Sequence, residues 1–467
     1  MKTSRLICGA CALTLAACTI GPDYKKPLMP VAAQFKEVKD WTAAAPADDV
    51  PRGEWWHVYG DPDLDRLEQQ LNQSNQTIAQ AEAQYRDALA LLQNAQAGLM
   101  PSISLNTGKT HARTYSSSSG STYISNVYTA SLSTSWELDI WGKLRRTIEA
   151  GRASAEASVA SLANIRLSQQ ALLATAYLQL SVSDLQGRSL QASLIEYQRE
   201  LQIAQNNFAA GVSGEADVLQ AQNALETLRV QASDQKLVRS QLEHAIAALT
   251  GQSPSAFSLS ERTVVPRVPV IPPVLPSQLL ERRPDIANAE RLVAQANAQI
   301  GVAKAAYYPD LSLVASGGYS ASSLARWATM PARVWSIGPT LATSLFDGGA
   351  RDAQTRAAEA SYDAVVAQYR QTVLTAFQNV EDNLASQRWL QQEANSSRLA
   401  LEAARKSAAI TLNQYRAGTV SMLNVAQANA TFQANQRAEL SILNSRLTAS
   451  VALIKALGGG YSQPAPH

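Results

Sequence analysis

Residues 208–215 read Phe208-Ala209-Ala210-Gly211-Val212-Ser213-Gly214-Glu215, a glycine-marked break in a segment that is otherwise helical in character. From Trp141 to Ala209 there is no proline, and the only glycines are Gly142, Gly151 and Gly187. Alanine, glutamine, leucine, serine and arginine fill the interval, which predicts one very long helix. The pattern resumes at Glu215 and continues to about Leu249, so residues 140–249 read as a helical hairpin closed by a glycine turn. Roughly 65 residues at about 1.5 Å each give an arm of about 100 Å. Globular helices average only about 10–14 residues. An arm this long needs a coiled-coil partner or a place in the wall of a tube.

The same object occurs twice. Phe208-Ala209-Ala210-Gly211 answers Tyr415-Arg416-Ala417-Gly418, and Gln220-Ala221-Gln222-Asn223-Ala224 answers Gln427-Ala428-Asn429-Ala430. Pro101-Ser102-Ile103-Ser104-Leu105 answers Pro309-Asp310-Leu311-Ser312-Leu313. The chain is therefore an internal duplication of about 207 residues, a period far beyond the roughly 20–50 residues of solenoid repeats. The expected layout is a leader over 1–17, an extended segment over 18–60, a first repeat over 61–250, a proline-rich joint over 251–280, a second repeat over 281–457 and a loose tail over 458–467. Within the first repeat the expectation is a single helix from Asp63 to Gly98, and the Trp55-Trp56 pair is expected to anchor the extended segment.

Between helix and arm each repeat carries a different texture. Tyr128, Ala130, Leu132, Thr134, Trp136 and Leu138 alternate with Thr129, Ser131, Ser133, Ser135 and Glu137. This two-residue period marks a strand with one apolar and one polar face. Ile103, Leu105 and Thr107 alternate with Ser102, Ser104 and Asn106 before it, and a serine-rich loop is expected over Tyr115–Thr122. In the second repeat Leu311, Leu313 and Ala315 form one such run, and Trp335, Ile337, Leu341, Thr343 and Leu345 another, interrupted by Pro339. Strands of about ten residues suit a tilted crossing of a bilayer, with apolar side chains to lipid and polar ones to a lumen. Lipid tolerates no open sheet edge, and four strands are too few to close a barrel, so other copies of the chain must complete the sheet. Tyr123, Tyr128, Trp136, Trp141, Tyr319, Trp327 and Trp335 are expected to form an interfacial belt. In the returning arms Leu440, Leu443, Leu447, Val451 and Ile454, and likewise Leu242, Ile246 and Leu249, step by three and four, a coiled-coil seam.

The N-terminus has the form of a signal peptide, with Lys2 and Arg5 ahead of an apolar stretch too short to span a membrane. It ends Leu15-Ala16-Ala17-Cys18, which resembles the bacterial lipobox and implies a lipid on Cys18, the first mature residue. Thr19 rather than aspartate follows, which favours the outer membrane. Cys8 and Cys11 lie in the leader, leaving no internal disulfide in the mature chain. The net charge of +2 at pH 7 argues against a nucleic-acid binder. His57, His111, His244 and His467 have no ligand spacing, so no metal and no cofactor beyond the Cys18 lipid is expected. The serines lack a neighbouring base constellation, Glu243-His244 reads as a solvated pair, and Asp347-Gly348-Gly349 as a strand-to-helix junction; the chain is not expected to be an enzyme.

Taken together, Ile20-Gly21-Pro22-Asp23-Tyr24-Lys25-Lys26-Pro27, Glu281-Arg282-Arg283-Pro284-Asp285-Ile286, the run from Ala289-Glu290-Arg291 through Ile300-Gly301-Val302 to Tyr308-Pro309, and the glycine tips resemble the TolC-like outer membrane factors, specifically the NodT-type lipoprotein branch. The resemblance implies a mainly α fold with a small transmembrane β part. It implies a homotrimer with a twelve-stranded barrel, four strands from each chain, and an α-helical tunnel. It also implies partnership with a periplasmic adaptor and an inner-membrane pump of the resistance–nodulation–division type, for export of small molecules. The duct of a type I secretion or ATP-driven export system is the alternative within that class, and a non-conducting envelope-bridging scaffold the alternative outside it. The resemblance places adaptor contacts at Gly211, Ser213, Gly214, Gly418 and Ser421, and the aperture at Met422, Leu423 and Asn424. The family spacing, a glycine followed three places on by a small or polar residue, is kept at Gly418 and Ser421 and departs at Gly211 and Gly214. The acidic and basic residues Glu281, Arg282, Arg283 and Asp285 are expected to form a structural ion-pair network.

Overall fold

The computed structural model describes residues 19–29, 35–38, 54–271 and 283–459. Cys18, the leader, Glu281 and Arg282, residues 272–280 of the joint and the tail from 460 onward lie outside them. The elements in order are α1 (Pro62–Ser74), α2 (Gln76–Ala97), β1 (Ser102–Ser116), β2 (Ser121–Leu138), α3 (Lys143–Ala209), α4 (Glu215–Leu249), α5 (Pro284–Ala305), β3 (Asp310–Ala321), β4 (Arg333–Ala342), α6 (Ala350–Arg416) and α7 (Met422–Ala456).

The duplication preserves the lengths of three helix pairs, though not of the strands. The outgoing helices α3 and α6 are both 67 residues, the returning helices α4 and α7 both 35, and α2 and α5 both 22. The expected single helix over Asp63–Gly98 is broken at Asn75, whose backbone is extended. The Asn75 side chain explains the break: Oδ1 accepts from the Ile78 N–H (3.0 Å), and Nδ2 donates to the Leu249 carbonyl at the end of α4 (2.8 Å). Arg283 does the equivalent work in the second repeat. It stands just before α5 and donates to the Ala456 carbonyl at the end of α7 (2.8 Å), while Asp285 accepts its guanidinium at 2.6 and 3.0 Å. Arg283 and Asp285 thus pair within the described part of the expected network, and the pair caps the end of α7.

The chain divides into two compact units, and both repeats contribute to each. One comprises residues 19–28, Gln84–Val159 and Asn288–Arg370. Its sheet is a fully antiparallel meander, β1-β2-β3-β4. β1 has 15 residues and β2 has 18, longer than the ten expected, and the serine loop shrinks to a turn over 117–120. β4 ends at Ala342, so Thr343 and Leu345 fall beyond it. Pro339 lies on β4, the edge strand of the chain's own sheet, the position in a sheet where a residue without an N–H is found. Residues 19–28 pack in this same unit: Ile20 N–H bonds the Trp141 carbonyl (3.2 Å), and buried Arg146 donates to the Ile20 carbonyl (3.2 Å), the Gly21 carbonyl (3.3 Å) and Asp23 (2.9 Å). Gly21 has φ +103° and lies so close to Gly301 that a Cβ there would meet its Cα at 2.5 Å.

The other unit holds the hydrophobic core. Trp55, Trp56, Leu64, Leu67 and Leu71 pack with Leu173, Tyr177 and Leu180 of α3 and with Leu447, Val451 and Ile454 of α7. Of the coiled-coil seam read from the sequence, Ile246, Leu447, Val451 and Ile454 are buried and Leu242, Leu249, Leu440 and Leu443 half-buried against the same core, which also holds the Trp55-Trp56 anchor. Glu243 is no solvated residue: it accepts from the Leu259 N–H (2.6 Å) and from Arg239 (3.3 Å), tying the segment after α4 back onto the arm, while His244 is exposed. Arg262 of that segment pairs with Asp61 and Asp63 at the start of α1. Among the described residues no helix is long and apolar enough to cross a membrane.

Candidate functional site

Two regions carry chemistry: the sheet of the first unit and the hairpin tips of the second.

The register fixes the faces of the sheet. Leu105 stands opposite Leu132, Trp136 opposite Leu313, Leu138 opposite Leu311, Leu311 opposite Leu341, and Ala315 opposite Ile337. These cross-strand partners share one face, and Ile103, Leu105, Leu132, Trp335, Ile337 and Leu341 on it are all exposed in the single chain. Burying none of these against protein is costly in water and favourable in lipid. The opposite face is a ladder of small polar groups. Ser104 and Ser133 hydroxyls meet at 2.8 Å, Asn106 donates to Ser133 (2.8 Å), and Ser316 meets Ser336 (2.9 Å). Among the described residues the outer edges of β1 and β4 are unpaired. At the end of the sheet that leads into α3, Trp136 Nε1 donates to the Leu99 carbonyl (2.9 Å), and Trp141 donates to the Pro309 carbonyl (2.9 Å) and packs on Tyr308 with ring centroids 4.9 Å apart. Trp335 departs from the expected belt. It sits opposite Gly317, six residues along β4 from Leu341 and so inside the apolar run.

The two tips have one geometry. Gly211 (φ +72°) and Gly418 (φ +74°) take the left-handed conformation that closes each outgoing helix. The N–H groups of Gly211 and Val212 bond Phe208 and Asn207 carbonyls (both 2.9 Å), and those of Gly418 and Thr419 bond Tyr415 and Gln414 carbonyls (2.9 and 3.0 Å). Gly214 and Ser421 then start the returning helices with nearly identical backbones, ψ 163° in each. The serine absent at position 214 is therefore not needed for the turn. Ser421 does not cap its helix with its side chain; its hydroxyl donates to Asn424 Oδ1 (2.8 Å). Gly211, Gly214, Gly418 and Ser421 are exposed, as surface contacts require. Ser213 is half-buried, and its hydroxyl oxygen is enclosed without a partner, so it is not presented outward. Val212, 76 % exposed at the first tip, is an apolar contact the sequence reading passed over.

The three aperture candidates separate. Leu423 and Asn424 are exposed. Met422 is 2 % exposed and packs with Ala204, Ala221, Tyr415 and Val425. It cannot line an opening, because its side chain turns between the hairpins, the ordinary outcome for one apolar residue at the base of a turn. The hairpins are also bound by polar links. Asn207 donates to the Tyr415 hydroxyl (3.2 Å), Asn429 to Glu200 (2.7 Å), and Gln433 to Ser193 (2.5 Å). Burial, reinforced by Glu196, raises the Glu200 carboxyl to about 7, against the lowering effects of the Asn429 bond and Arg416. None of these links is visible in the sequence, since each joins residues more than 200 positions apart. Among the described residues no group of acidic, histidine or cysteine side chains could hold a metal.

The family model for outer membrane efflux proteins matches this chain twice, over residues 67–252 and 275–459. The chain belongs to the outer membrane efflux protein family. The paired ends of the two matches repeat the internal offset of about 207 residues. The pyoverdine export outer membrane protein OpmQ of Pseudomonas aeruginosa is 31 % identical over 472 residues, covering 99 % of this chain and 97 % of that protein. The toluene efflux pump outer membrane protein TtgC of Pseudomonas putida is 28 % identical over 466 residues, covering 99 % and 96 %. The solved outer-membrane channel OprN superposes with a TM-score of 0.87 at 29 % identity, over 96 % of this chain and all of that one. The chain is thus an outer-membrane efflux channel protein, and the family is one of channels rather than of enzymes.

Proposed function

We propose that three copies of this chain form the exit duct of a tripartite efflux system and that the duct catalyses no reaction. The observation that carries the reading is the four-stranded sheet with one exposed apolar face, one serine-lined face and two unpaired edges. Twelve strands from three chains close such a sheet, turn the apolar face to lipid and leave a hydroxyl-lined lumen. A lipid on Cys18 anchors the chain, and the residues that follow it, 19–24, dock at the Trp141–Gly142 junction. The helical hairpins form the periplasmic tunnel. Exposed Gly211, Val212, Gly214, Gly418 and Ser421 meet a periplasmic adaptor, with a proton-driven inner-membrane pump beyond it, and Leu423 and Asn424 face the aperture. Small organic molecules are the cargo class, in keeping with the toluene and pyoverdine in the names of the two relatives above. Crosslinking in intact envelopes, followed by capture of a tagged chain and mass spectrometry, tests the partnership. Recovery of an adaptor together with a proton-driven pump is the expected result. Recovery with an ATP-driven transporter moves the protein to the secretion class, and recovery of the chain alone removes the tripartite reading.

A further inference from the structure

The apolar face of the sheet changes character part-way along β1. Ile103, Leu105 and Thr107 give way to Lys109, His111 and Arg113, each two residues on and therefore on the same face. The register confirms the placement: Lys109 stands opposite Tyr128, His111 opposite Asn126 and Arg113 opposite Ile124. Arg333, opposite Tyr319, begins β4 on that face as well. All four are exposed. Among the described residues none of the four is ion-paired; Lys109 lies over the Tyr128 ring (5.5 Å to its centroid) and His111 bonds Asn126 (2.9 Å).

The distribution of charge along the sheet is one-sided. Between Pro101 and Trp136, and between Leu311 and Phe346, there is no aspartate or glutamate, whereas Lys109, Arg113, Arg326 and Arg333 are present. The carboxylates Glu137, Asp139, Asp310 and Asp347 all sit at the opposite end, next to the helices. Lys109 stands one membrane thickness from that end, with Arg113 four residues beyond it and Arg333, level with Ala130 through Tyr319, two residues short of it. Leu138 to Tyr128 is ten residues, about 33 Å along the strand, and with a tilt of about 40° this spans about 25 Å, the height of an outer-membrane apolar band. Lys109 faces Tyr128 at the top of the band, and Arg113 lies just above it.

We infer that Lys109, Arg113 and Arg333 form a lipid-facing docking surface for the phosphorylated headgroup of the outer-leaflet glycolipid, lipid A, with His111 as a further polar contact. The inference rests on the channel reading, which turns this face to lipid and the hairpin-turn end outward. Cations on a lipid-facing strand are unfavourable inside the hydrocarbon and favourable at headgroup depth, where phosphate oxygens accept charge-assisted hydrogen bonds. A surface without a single carboxylate in reach leaves those cations uncompensated unless anions come from the membrane.

The test uses purified, delipidated full-length trimer in detergent and two probes, bisphosphoryl lipid A and its dephosphorylated form, with binding followed by native mass spectrometry. The wild type is expected to bind the bisphosphoryl form preferentially and in a salt-sensitive way. The variant Lys109→Gln/Arg113→Gln/Arg333→Gln is expected to bind it about 100-fold more weakly, about fivefold for each cation. Equal binding of both probes by wild type, or undiminished binding by an assembled variant, overturns the site while leaving the channel intact. Should the triple variant fail to assemble, the two-probe comparison on wild type decides alone. A wild type that neither forms trimers nor conducts overturns the channel reading, and this inference with it.

Discussion

Glu68 offers the sharpest quantitative test of the packing. It lies on α1 between Leu67 and Leu71, on the face formed with Leu64, and like those three leucines it is fully buried. Among the described residues neither carboxyl oxygen has a hydrogen-bond partner. Burial, with a smaller contribution from Asp65, raises its pKa from an ordinary 4.5 to about 9. The sign follows from linkage. A carboxyl raised on folding leaves stability intact below its unfolded value, and stability falls as pH climbs from about 4.5 to about 9, with no further loss above. At about 1.4 kcal/mol for each pH unit, the penalty at pH 7.4 reaches about 4 kcal/mol per subunit as an upper limit. Glu68→Met, an unbranched apolar side chain of similar length, removes it, and Glu68→Gln removes the ionisation alone. Thermal unfolding of the detergent-solubilised protein, measured from pH 5 to pH 9, is the assay. Both variants are expected to gain on wild type progressively as pH rises, with Glu68→Met the more stable throughout. Curves that run parallel at all pH values, or a Glu68→Met variant less stable than wild type at pH 7.4, would refute the reasoning by showing that Glu68 is charged and partnered.

Three further outcomes follow from the same geometry. Met422→Ala opens a cavity between the hairpins and should lower stability by about 2–4 kcal/mol, whereas exposed Leu423→Ala should leave unfolding nearly unchanged and act only on conductance; the opposite pattern would reverse their assignments. Glu200, raised to about 7, makes the hairpin link most secure below its unfolded value, with stability falling as pH rises from about 4.5 to about 7; hydrogen exchange around Glu200 and Asn429 should quicken from pH 5 to pH 8 beyond the intrinsic rate, and Glu200→Gln should abolish that excess. Arg146→Ala removes the side chain that holds residues 20–23, and limited proteolysis should then cleave near Tyr24 where wild type resists; equal resistance would mean that the Gly21–Gly301 contact suffices.

Much of this architecture was legible because it repeats. Gly211 and Gly418 announce the same left-handed turn about 207 positions apart, and long runs without breakers leave few alternatives to helix. Alternation exposed the sheet only where the lipid-facing residues are apolar. At Lys109, His111 and Arg113 the same face turns basic, so the strand reads as ending before it does. Asn75 breaks a helix by bonding a carbonyl 174 residues away, and nothing local distinguishes it from a surface asparagine. Glu68 sits at a position that helical spacing marks as buried, yet its charge reads as solvent-facing. Met422, Leu423 and Asn424 are neighbours in sequence, but helical rotation sends one into the core and two to the surface. Side-chain direction at a helix start depends on the partner hairpin, which only the tertiary structure supplies.

The most direct test of the central claim is single-channel recording from the purified full-length protein in planar bilayers, with its oligomeric mass measured in the same preparation. The account predicts a trimeric mass and discrete conductance steps, with Leu423 and Asn424 variants altering the open level or its frequency. A stable monomer, or a trimer that inserts without passing ions under any voltage, would contradict it.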